Sequence, residues 1–146
     1  MTKEIKPTYV TFEQAKLLKE KGFLIPTSLG YLSNGDLSAP YYGIKFINSD
    51  TENDVMYSAP EQHQVVEWLR VNHEIEVYAL RYTFSKGEFV GKKYMFVVEK
   101  YKKNFNPDLD EYHFEEEPLE SSRELNYNSP QEAYSAAFDY ILNNLL

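Results

Sequence analysis

Bond-making chemistry in this chain would have to come from its three histidines, His63, His73 and His113, and from its many carboxylates. Asp108, Asp110 and His113 are metal-ligand types close together in sequence. They lack the turn glycine and closing Glu of an EF-hand loop, and no His-Glu-x-x-His spacing occurs. A solvated acidic loop accounts for them, so no metal site is assigned. There is no cysteine, hence no thiolate ligand, cysteine nucleophile or disulfide, and no Gly-x-Ser-x-Gly elbow. The six glycines form neither a Walker loop nor a dinucleotide fingerprint, so no cofactor is expected. Paired carboxylates abound, but acid–base work needs two carboxyls in contrasting environments, and a run in one solvated segment supplies like ones. The reading leans away from an enzyme. If one is hidden, a pocket joining Trp68, His73 and Arg81 is the place for it.

Binding is a better match to the composition. The chain has 13 Tyr, 9 Phe and one Trp, more aromatic surface than one small core readily hides, and such residues are enriched where proteins make contact. Trp68, His73, Tyr78, Arg81, Tyr82 and Tyr94 are the candidate binding residues. Arg81 stands in a strand of apolar neighbours, where a guanidinium must meet a carboxylate, water or a bound anion. The competing account is structural, with tyrosines rimming the core and their hydroxyls in water.

Charge is unevenly spread. The formal net charge is -8. Asp108, Asp110, Glu111, Glu115, Glu116, Glu117, Glu120 and Glu124 face a lone Arg123, while just upstream Lys86, Lys92, Lys93, Lys100, Lys102 and Lys103 outnumber Glu88 and Glu99. The simplest arrangement is two facing strands that partly neutralise one another. Lys92, Lys93, Lys100, Lys102 and Lys103 are also the only credible surface for nucleic acid. Against that use, residues 130–146 contain no Lys or Arg, which phosphate contacts would need, and Lys86-Gly87-Glu88-Phe89-Val90-Gly91 echoes an RNA-recognition motif without its stacking aromatics.

The elements that must position these residues are partly marked by capping signals. Thr11 with Gln14, Ser58 with Glu61 and Ser129 with Glu132 each place a hydroxyl three residues before Glu or Gln, and Pro130 follows the last at the first helical position. They predict helices over about 12–21, closed by Gly22, over about 59–72, and over about 130–145. His73 then falls at a helix C-terminus, where the dipole favours a cationic imidazole. The last helix is apolar nearly all round and suits either a central core position or a subunit contact, so a homo-oligomer through 130–146 is weighed. Between the second and third helices the period changes to two. Residues 75–84 put Ile75, Val77, Ala79, Arg81 and Thr83 on one face and Glu76, Tyr78, Leu80, Tyr82 and Phe84 on the other. Strands are expected over 75–84, 92–101 and 111–117, the first two joined as a hairpin through 85–88, with a further strand at 41–47.

The expected architecture is therefore α+β, one domain over 1–146, with an antiparallel sheet of three to five strands packed by three helices. Its C-terminal portion runs α-β-β-β-α, an order shared by double-stranded RNA-binding domains but carrying no function by itself. The N-terminal residues have no apolar signal region and no stretch approaches the ~18 apolar residues of a membrane span, which points to the cytoplasm and away from membranes.

Three phrases resemble a known family: Thr11-Phe12-Glu13-Gln14-Ala15-Lys16-Leu17-Leu18-Lys19-Glu20-Lys21-Gly22-Phe23, then Tyr57-Ser58-Ala59-Pro60 running into Trp68-Leu69-Arg70, and Ser129-Pro130 with Glu132-Ala133. They look like an uncharacterised family of small proteins of phages and prophages of gut-type bacteria. The resemblance implies phage origin and host cytoplasm, and carries over no catalytic residue. The expected function is a non-enzymatic binding protein, a phage accessory factor engaging a host protein or small ligand and acting against host defence. The alternatives are an oligomeric scaffold or virion-associated structural protein, and a nucleic-acid-associated protein using the basic hairpin.

Overall fold

The computed structural model describes residues 4, 6–39, 45–48, 56–85, 88–121 and 127–146. Its elements run α1 (Phe12–Glu20), β1 (Gly30–Leu32), β2 (Leu37–Ser38), β3 (Met56–Ser58), α2 (Gln62–His73), β4 (Ile75–Ser85), β5 (Glu88–Asn106), β6 (Glu111–Ser121) and α3 (Pro130–Asn144). The α+β class, the three helices, the antiparallel pairing and the α-β-β-β-α order agree with the sequence reading. The strands divide between two three-stranded sheets, ordered β2-β1-β3 and β4-β5-β6. The first is built of strands of two or three residues, β1 and β2 being joined through Ser33-Asn34-Gly35-Asp36. The chain forms two compact units, one of Met1–Val65 with Phe138–Leu146 and the other of Val66–Ala137. Among the described residues no helix is long and apolar enough to cross a membrane.

In the first unit α1 begins and ends as its sequence dictates. Thr11 Oγ1 accepts from the Gln14 N–H at 3.2 Å and Gln14 Oε1 accepts from the Thr11 N–H at 3.1 Å, a reciprocal capping box. At the other end Gly22 adopts φ 83°, its N–H donates to the Lys19 carbonyl and that of Phe23 to Leu18. This is a Schellman ending, whose flanking apolar pair, Leu18 and Phe23, is fully buried. Gln14 is also fully buried, and its Nε2 donates to Asp139 Oδ1 at 2.8 Å, tying α1 to α3. Val10, Ala15, Val65, Phe138, Ile141 and Leu142 complete this core. Phe12 packs between Tyr31 and Tyr57, with the Lys16 and Lys19 ammonium groups 4.8 and 5.3 Å from the Phe12 and Tyr57 ring centroids.

One capping expectation fails here. Ser58 lies in β3 rather than at a helix start, paired with Gly30, and its N–H donates to Asn48 Oδ1 at 2.9 Å. The helix begins later, at Gln62, where Gln64 Oε1 accepts from the Glu61 N–H. The hydroxyl of Ser58 is buried without a hydrogen-bond partner among the described residues. Asn48, 3% exposed, also donates from Nδ2 to the Phe23 carbonyl, so one buried amide joins two otherwise separate stretches. Most of the strand expected at 41–47 lies outside the described residues, although Phe46 and Thr27 exchange main-chain hydrogen bonds.

In the second unit all three strands exceed their predicted lengths. β5 pairs with β4 from Glu88 to Lys100 and with β6 from Val97 to Asn106, so residues 97–100 pair with both strands and β5 extends beyond them in each direction with one of the two. The acidic segment does lie against the basic one. Lys100, Lys102 and Lys103 face Glu117, Glu115 and Phe114, and Lys102 Nζ is 2.6 Å from Glu117 Oε2. α3 starts with Ser129 Oγ accepting from the Glu132 N–H, while the Glu132 carboxylate accepts from the Asn128 N–H. Ala133, Ala137, Phe138, Ile141 and Leu142 of α3 are all buried, while Tyr134, Ala136 and Tyr140 are half-buried.

Candidate functional site

The β4–β5 ladder is regular from Ile75 opposite Lys100 to Tyr82 opposite Lys93, and directly opposed residues share a face. One face carries Ile75, Val77, Phe96 and Val98, exposed by 2, 3, 6 and 0%. Its neighbours, one residue along each strand, form the other face: Tyr78 opposite Val97 and Leu80 opposite Met95 in the centre, with Glu76 opposite Glu99 at one end and Tyr82 opposite Lys93 at the other. None of the described side chains on this second face is buried, and Leu80 is 46% exposed. A period of two thus yields one sealed face and one open face, half-buried along its described length and most exposed at Leu80, with an apolar centre.

Irregularities bound this face. Beyond Tyr82 the register shifts before Phe84 meets Phe89, and Gly91, at φ 79°, lies in that shift. The glycine of the apparent RNA-recognition phrase therefore has a backbone role. On β6 an extra residue, Leu119, sits where the register shifts between Val98 and Glu99, a bulge of the kind that re-aims a strand.

The end charges differ in how they are compensated. Glu76 Oε1 lies 4.0 Å from Arg70 Nε, and Arg70 is engaged with Glu67. Glu99 has no hydrogen-bond or ion-pair partner among the described residues. Lys93 Nζ donates to Asn128 Oδ1 at 2.7 Å, which holds the ammonium without neutralising it.

The six binding candidates separate into three places. Trp68 and His73 meet on α2, ring centroids 4.5 Å apart at 69°, with Trp68 4% exposed. Burial, and then the positive charge of Lys100, lower the His73 pKa, so the cationic imidazole expected at the helix end is disfavoured. Tyr78 lies on the open face, as does the position of Tyr82, whose side chain is outside the described set. Arg81 and Tyr94 oppose one another on the other face, beyond its buried stretch. Arg81 is exposed to solvent, which meets its need for water without a bound anion. Tyr94 is half-buried and exchanges main-chain hydrogen bonds with Tyr127 at 2.9 and 3.0 Å. No convergent acid, base and nucleophile arises from these positions.

Asp108 and Asp110 are exposed turn residues between β5 and β6. Asn106 Oδ1 accepts from the Asp108 N–H, and Asp110 takes φ 50°, a conformation that Asp tolerates better than most residues. Among the described residues no three His, Cys, Asp or Glu are grouped to hold a metal ion.

Compared with models of protein families, with curated proteins and with solved structures, the chain matches none. The geometry of the chain is what marks a surface for contact. It adds Leu80, Met95 and Val97 to the candidates. Leu80 was legible on the Tyr78 face from alternation alone. Met95 and Val97 needed the register of β5, which no local signal supplies.

Proposed function

We propose that the protein is a non-enzymatic binding protein that acts through the open face of β4 and β5. The observation that carries this is the alternation itself: Ile75, Val77, Phe96 and Val98 are buried, whereas Tyr78, Leu80, Met95 and Val97, one residue out of step, are not. Covering such apolar surface releases about 25 cal/mol per Å². A sheet face without a concave pocket described on it suits another protein better than a small molecule, which is held in concave sites. The resemblance to small phage proteins supplies the setting, in which the partner is a host protein and the role that of an accessory factor against host defence. Nucleic acid is a poorer partner, because part of the lysine charge on β5 is neutralised by β6.

The test is affinity capture from bacterial lysate with the unchanged protein, with Leu80→Asp/Met95→Asp, and with Arg81→Ala as a control away from the face. A host protein retained by the first and third baits and lost by the second is expected. Identical captures by all three would overturn the reading.

A further inference from the structure

The open face is complementary to itself, and we propose that a second copy of this chain docks on it, face to face. The inference rests on the reading of this face as a contact surface and adds a second copy as a weak occupant that a host partner displaces.

The argument is one of symmetry. Along β5 the face reads Lys93, Met95, Val97, Glu99, and along β4 it reads Tyr82, Leu80, Tyr78, Glu76. Both series are centred on the pair Ala79 opposite Phe96. A two-fold axis lying between two such sheets, and crossing the strands above that pair, sets β5 over the partner's β5 in the opposite direction. Met95 then covers Val97 of the other copy, Leu80 covers Tyr78, and Lys93 meets Glu99, each contact made twice. Lys93 and Glu99 are six residues apart, about 20 Å along a strand, so the pairs stand at opposite ends of the apolar centre.

An axis parallel to the strands would instead set Glu76 over Glu99 of the other copy, four carboxylates together, and is rejected on charge. Packed sheets lie about 10 Å apart, a gap that Lys and Glu side chains span from both sides. The docking also answers an imbalance in the single chain: Glu99 faces Glu76 across the strands and lacks a cationic partner among the described residues, while Lys93 has only a neutral one. The face offers eight residues, fewer than the roughly 20–30 that each side of a standard stable interface contributes, so the expected association is weak and concentration-dependent.

Sedimentation equilibrium of the full chain, from micromolar to millimolar concentration, tests this with three variants whose fold is checked by circular dichroism. The unchanged chain is expected to pass from monomer to dimer across that range. Lys93→Glu places like charges together twice and is expected to weaken association roughly tenfold or more. Lys93→Glu/Glu99→Lys restores opposite charges in the same geometry and is expected to restore the dimer. Leu80→Asp is expected to abolish it. A chain that stays monomeric at millimolar concentration, a dimer indifferent to Lys93→Glu, or a double variant no better than the single one overturns the proposal. If the chain is monomeric yet Leu80→Asp/Met95→Asp still loses a host protein, the dimer fails and the contact-face reading survives. A dimer untouched by Leu80→Asp sinks the proposed docking surface.

Discussion

Glu76 and Glu99 stand directly opposite one another across β4 and β5, like charges in register at one end of a face whose centre is apolar. Directly opposed like charges oppose sheet formation by a few tenths to about 1 kcal/mol. Glu99→Lys should therefore raise the stability of the dilute, monomeric chain by that amount, read as a higher urea midpoint with unchanged slope. The same substitution is expected to weaken association, so the two effects separate. A lowered midpoint would show that Glu99 is stabilising where it stands.

His73 gives a pH signature. Its pKa is lowered by burial and by Lys100, so the folded chain takes up a proton less readily than the unfolded one. The stability this confers is fully present above the ordinary histidine value of about 6.5 and is lost as pH falls through the lowered value of the folded state. Thermal melts between pH 7 and 5 should show a decline that is shallower in His73→Gln. Parallel curves for the two proteins would contradict the assignment.

Glu74 takes φ 56° immediately after α2, the left-handed conformation that glycine adopts freely and other L-residues at a cost. Its carbonyl accepts from the Tyr101 N–H at 3.2 Å, so the conformation is built into the helix-to-strand connection. Glu74→Gly should stabilise by about 1 kcal/mol, and Glu74→Val should destabilise by more, both measured by chemical denaturation.

Asn48 and Ser58 are adjacent buried polar groups with opposite expectations. Asn48→Ala leaves the Phe23 carbonyl and the Ser58 N–H without their side-chain partner and should cost about 2–4 kcal/mol. Ser58→Ala removes a hydroxyl that has no partner among the described residues and should be neutral or stabilising. A loss from Ser58→Ala comparable to that from Asn48→Ala would mean that the hydroxyl is engaged.

What could be foreseen follows from how local each cause is. Thr11, Gln14 and Gly22 act within a few residues, and α1 is bounded as they indicate. Ser58 and Glu61 have the same spacing, yet Ser58 is held in β3 by Gly30 and Asn48, 28 and 10 residues away in sequence, and those long-range bonds outweigh a capping preference. Lys102 and Lys103 look like the end of a strand when read alone. Opposite the acidic residues of β6 they continue one, and β5 runs on to Asn106. The place of His73 at a helix end was legible. The nearby Lys100 that disfavours its charge was not, because it comes from a strand whose register only the fold determines. For the candidate face, alternation assigned β4 its two sides, but which side is covered depends on tertiary packing.

The short central overlap in β5 has a bearing on how the chain can diverge. Residues 97–100 are read by two neighbours at once, so one added or deleted residue there would turn both seams together and exchange inward for outward side chains along each arm. Length changes at the hairpin tips disturb neither seam. Descendants of this sequence can therefore vary in arm length while the crossing of the three strands stays invariant in count.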